Sequence, residues 1–75
     1  MKRNSSDLAL NAARAAARRY GSEAVIFEDL AIGDRFCFAG GSSETICIKI
    51  RRKRYSLDGR VCYATATRAV LRAGG

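Results

Sequence analysis

Histidine, tryptophan and proline are absent from the 75-residue chain, and there is a single methionine. Without histidine the usual general base near neutral pH and the commonest metal ligand are missing. Cys37, Cys47 and Cys62 are odd in number and far apart, with no CxxC pair to begin a zinc site. No metal, no cofactor and no enzymatic activity are therefore expected, since no nucleophile and base stand in a recognisable pattern. Long apolar runs are missing too: the longest, Ala15-Ala16-Ala17 and Ala24-Val25-Ile26-Phe27, fall far short of a bilayer span. Lys2-Arg3 resembles the start of a secretory leader, but Asn4-Ser5-Ser6-Asp7 stands where the apolar region should come next. No membrane association and a cytoplasmic location are expected.

Acidic residues are scarce in the second half. Residues 1–44 carry six basic and six acidic side chains, whereas from residue 45 onward eight basic residues face Asp58 alone, so the net charge of +7 resides there. Eleven of the fourteen basic residues are arginine, whose planar fork suits bidentate capture of phosphate or carboxylate. An anionic partner is implied, either an acidic protein surface or nucleic acid. The alternative is that the charge serves solubility alone.

The length, with 48% hydrophobic residues, suits one domain over residues 1–75. Such a chain buries only about 60% of its unfolded surface, leaving both a monomer and a homodimer open. Ser5-Ser6-Asp7 offers N-cap chemistry, alanine, leucine and arginine dominate residues 8–20, and Gly21 supplies a stop, predicting a helix over 7–20. Its stripe Leu10, Ala13, Ala17 and Tyr20 should pack at the periphery, with Arg14, Arg18 and Arg19 serving the helix itself. Beyond Ser22, short apolar runs punctuated by glycine predict a β region over 23–71, with fraying over 73–75.

Within that region Phe36 and Phe38 share one strand face, and Ile46, Ile48 and Ile50 alternate with Cys47, Lys49 and Arg51. Phe36, Phe38 and the three isoleucines are therefore expected to form the core, with Ile48→Ala costing about 2 to 5 kcal/mol. Leu57-Asp58-Gly59 reads as a three-residue hairpin loop. Alternation breaks after Arg51, because Tyr55, Val61 and Tyr63 are the next apolar set on the opposite parity. A bulge over residues 51–53 would resolve the conflict. The cysteines read as small buried hydrophobes, although arginines near Cys47 and Cys62 would favour a thiolate.

Gly40-Gly41-Ser42-Ser43 lacks the lysine and the following helix of a phosphate loop and reads as a hairpin loop. Asp29 and Asp34 are explained by Asx-type turn bonding. The tetrad Arg51-Arg52-Lys53-Arg54 could pass for a localisation signal, but its strand context argues for a structured surface. Lys49, Arg51, Arg52, Lys53, Arg54 and Arg60 are the candidate partner-binding residues. Tyr55 and Tyr63 lie among them as candidate stacking rings. The alternative, favoured by the scarcity of large apolar residues nearby, has both tyrosines completing the core.

Phe27-Glu28-Asp29-Leu30, Gly33-Asp34-Arg35-Phe36, Phe38, Ile48-Lys49-Ile50, Tyr55, Gly59 and Val70 together resemble small bacteriophage and prophage proteins. The resemblance covers about three-fifths of the chain and leaves out the N-terminal helix. It implies a compact barrel or strongly bent meander, a bacterial host cell, and a non-catalytic inhibitor or adaptor, with anti-CRISPR proteins as one kind. Many anti-CRISPR proteins are acidic, and this chain departs from them in being basic. The expected architecture is α+β: an N-terminal helix packed on a four- or five-stranded antiparallel, barrel-like sheet. The expected function is binding and inhibition of a host nucleoprotein machine, a CRISPR surveillance complex being the sharpest case, with direct DNA or RNA binding as the alternative.

Overall fold

Alanines and arginines lose little side-chain freedom in a helix, and they carry the first element, α1, over Ser5–Ala17. A computed structural model of the chain describes residues 5–41 and 44–73, with residues 5–7 described as backbone only. The helix tightens into a 3-10 turn over Arg18–Tyr20 and stops at Gly21, whose φ of 129° is open to glycine. Ser5, Ser6 and Asp7, expected as the cap, are its first residues, and their side chains lie outside the described set. Ala17 is buried, Leu10 and Ala13 pack beside it, but Tyr20 turns out to solvent with the 3-10 turn.

Six strands follow among the described residues: β1 (Ala24–Ile26), β2 (Arg35–Phe38), β3 (Cys47–Arg51), β4 (Arg54–Leu57), β5 (Arg60–Tyr63) and β6 (Ala69–Arg72). They form one antiparallel sheet in the order β1-β6-β2-β3-β4-β5. The α+β class holds, but the sheet does not close into a barrel, and β1 and β5 are its edges. The sixth strand arises because the chain reverses at Arg52–Lys53, where the sequence pattern pointed only to a bulge. Leu57 pairs directly with Arg60, so the next turn has two residues, not three. Asp58 and Gly59 both have positive φ, 51° and 81°, matching the twist of the flanking strands. Ala73, expected to fray, donates its N–H to the Arg35 carbonyl at 2.9 Å. Gly74, Gly75, Ser42 and Ser43 lie outside the described residues.

The sheet buries two unequal faces. Its inner face carries Phe36, Cys47 and Val70, covered by Phe27 and Leu30 from the segment after β1 and by Ala64 after β5. Four rings gather there, Phe36 lying edge-on to Phe27, Phe38 and Tyr55 at centroid distances of 5.3, 5.4 and 5.6 Å. The outer face is covered by α1 only over β1 and β6, where Ala24, Ile26, Ala69 and Leu71 meet the helix.

The expected isoleucine core is inverted. Phe36 pairs with Cys47 across β2 and β3, and residues paired in register share a face. Phe36 and Cys47 are both fully buried there. Cys47 and Lys49 therefore point inward, while Ile46 and Ile48 are about two-fifths exposed and Ile50 is half-buried. Val61 and Tyr63, expected as buried partners of Tyr55, also face solvent.

This placement predicts that Phe36→Ala costs about 3–5 kcal/mol in urea unfolding, a large share of a small domain's stability. Ile48→Ala, by contrast, costs about 1 kcal/mol or less. Equal losses would return Ile48 to the core.

Candidate anionic-partner interface

The arginine-rich surface is built by one irregularity. The β3–β4 register shifts between Lys49 and Arg51, placing the bulge at Ile50, just before the expected stretch. Lys49 pairs with Tyr55 on the inner face, and after the bulge Arg51 pairs with Arg54 on the outer one. Arg51, Arg52, Lys53 and Arg54 thus form the tip of a tight hairpin, all exposed.

Arg54 stands opposite Tyr63 of β5, and its guanidinium carbon lies 5.0 Å from the ring centroid. Arg35 of β2, paired with Ile48, adds a cation to the same outer face. Arg60 does not join this group. It pairs with Leu57 at the other end of the β4–β5 hairpin, three positions and about 10 Å along the strands, on the inner-face parity. Tyr55 is no stacking surface either, because its ring packs edge-on to Phe38 at 5.2 Å as well as to Phe36. Of the two tyrosines proposed as stacking residues, Tyr63 alone is open.

Lys49 is removed from the contact surface altogether. Only 3% exposed, it donates from its ammonium to the carbonyls of Phe27 at 2.9 Å and Leu30 at 2.8 Å, and the charge sits 4.7 Å from the Phe27 ring centroid. Burial pulls its pKa below the ordinary lysine value, opposed by the charges of Glu28, Asp29 and Asp34. A sequence pattern reads lysine as polar and hence outward; the signal for the opposite was the run of acids between residues 28 and 34. Cys47 likewise departs from the reactive reading, since burial pushes its thiol pKa up.

Those three acids account for much of the basic charge elsewhere. Arg14 donates to both Asp29 carboxylate oxygens at 2.8 and 2.7 Å, tying α1 to the turn after β1. Arg52 reaches Glu28 at 3.5 Å, and Arg72 approaches Asp34 at 3.8 Å. Asp34 also accepts from the Ala31 N–H, three residues back, at 2.9 Å, a turn bond that runs opposite to the expected Asx pattern, and Asp29 is spent on Arg14. Among the described residues no ion pair reaches Arg35, Arg51, Lys53 or Arg54. Arg18, Arg19, Arg60 and Arg68 are likewise exposed without an ion pair there, so the hairpin tip and the outer face hold four of the eight exposed, unpaired cations among the described residues.

The Arg14 hydrogen bonds hold the Asp29 carboxyl below its usual 3.8, against the opposing effect of burial. A depressed carboxylate contributes stability that is present above the unfolded value and lost as pH falls through the folded one. Asp29→Asn should therefore be less stable to unfolding than wild type near neutrality, by about 1 kcal/mol or less for so exposed a pair, with the gap closing below pH 3.8. A gap that persists unchanged in strong acid would contradict the pairing.

Among the described residues no helix is long and apolar enough to cross a membrane. Compared with protein-family models, with curated proteins and with solved structures, the chain matches none.

Proposed function

We propose that this protein is a non-catalytic interaction module that grips an acidic protein surface with the arginine-rich β3–β4 hairpin and the adjoining outer face. In the narrower form implied by its resemblance to small phage proteins, it obstructs a host nucleoprotein machine, an anti-CRISPR block of a surveillance complex being the sharpest case. The observation that carries the reading is the sorting of charge. Glu28, Asp29 and Asp34 are engaged by Arg52, Arg14 and Arg72, leaving Arg51, Lys53 and Arg54 exposed without a carboxylate partner among the described residues. Holding such cations together costs electrostatic free energy that an anionic partner relieves.

Direct nucleic-acid binding is the second reading, favoured by the Arg54–Tyr63 stack. It ranks lower because Tyr55 is built into the core, which leaves one ring where a stacking platform uses several.

The double substitution Arg51→Glu with Arg54→Glu should leave the fold intact, as exposed cations contribute little to stability. It should abolish binding to an isolated surveillance complex, and binding by wild type should survive nuclease treatment. A wild-type affinity that falls steeply with salt on oligonucleotides, with each arginine removed lowering the log–log slope by about one, would select the nucleic-acid reading. Undiminished binding by the double variant would remove the hairpin from the interface.

A further inference from the structure

Among the described residues the outer face of the sheet beyond α1 is largely exposed, Cys37 of β2 being the exception. Across β2, β3, β4 and β5 the paired row Arg35, Ile48, Ser56, Val61 runs from the helix to the edge, with Arg51, Arg54 and Tyr63 in the neighbouring row. Ile46, Ile48, Val61 and Tyr63 are between 40% and 67% exposed, an unusual amount of large apolar surface for one face of so small a protein. The charged residues in these rows are all arginine. Such a surface is apolar at Ile48 and along the β5 edge, with Arg35 at its β2 end and Arg51 and Arg54 at its hairpin end.

Resting on the interaction reading above, we infer that this strip is the seat of an amphipathic, acidic helix of a partner protein, laid beside α1 to complete the outer layer. Three observations select that occupant. First, the strip spans three strand spacings, about 14 Å, and a packed helix sits about 8–10 Å from its neighbour, so one further helix fits. Second, its apolar residues are mainly aliphatic, matching leucine-like side chains better than bases, which ask for flat rings. Third, Arg35 stands next to Ile48 and Arg54 next to Tyr63, so carboxylates on such a helix meet cations beside the apolar contacts. A second copy of this chain is poorly suited, because a two-fold contact would set these arginines against themselves in a protein of net charge +7.

The test uses the full chain and a labelled synthetic helix with leucines on one face and glutamates on its margins. Binding should be saturable by fluorescence anisotropy, with NMR shifts concentrated at Ile48, Val61 and Tyr63. Val61→Asp, at an exposed position on an edge strand, should keep the native circular dichroism and weaken binding by about tenfold or more. Polyglutamate of the same length binding equally well would overturn the inference, because charge alone would then suffice, while leaving the hairpin reading intact. The same residues shifting on oligothymidylate at higher affinity, or burying themselves in a concentration-dependent dimer, would overturn it in favour of those occupants. Failure of all three probes to bind would count against the inference and the parent reading together.

Discussion

One lysine clamps the layer that closes the inner core. Lys49 uses its whole polar inventory on a single segment: its ammonium holds the carbonyls of Phe27 and Leu30, its N–H donates to the Asp34 carbonyl at 3.0 Å, and its own carbonyl accepts from Gly33 at 2.7 Å. A buried ammonium without such partners would cost several kcal/mol, about the net stability of a small domain. Here the carbonyls and the Phe27 ring replace the lost water. The segment over residues 27–34 is thereby fixed over the sheet, and Phe27 and Leu30 are delivered into the core.

The outer face is a consequence of that clamp. With Lys49 and Cys47 inward, the strand period of two leaves Ile46 and Ile48 outward, and the bulge at Ile50 then turns Arg51 to the same side. The acids that surround Lys49 also draw Arg14, Arg52 and Arg72 to their side of the molecule. The hairpin and outer face are left cationic and apolar at once. A surface of this composition is a by-product of how the core solves its electrostatics, so the fold and the proposed binding face share one cause.

How much of this the sequence revealed depended on whether a pattern had one physical cause or two. The alanine-rich helix and the turn around Asp58-Gly59 rest on local propensity and Phe36 on its hydropathy; the structure agrees at each in position, though the turn has two residues in place of three. Isoleucine alternation in β3 had two solutions of equal period, and hydropathy favoured the one that would turn Lys49 away from the Phe27 and Leu30 carbonyls. The reversal at Arg52–Lys53 carries no glycine, asparagine or proline, so no turn chemistry marked it. Of the site, the charge concentration after residue 45 was readable, and so was the favoured core placement of Tyr55; the loss of Lys49 to the core and the exposure of Tyr63 were not, because the inverted parity of β3 leaves no mark in hydropathy.

The most direct measurement of the clamp is competitive acylation of lysine amines in the native protein, mapped by mass spectrometry. Lys53, exposed at the hairpin tip, should react at the rate of a free amine, while Lys49 should stay protected until the chain is unfolded. Equal labelling of Lys49 and Lys53 under native conditions would contradict the buried ammonium, and with it the inverted strand and the outward apolar face.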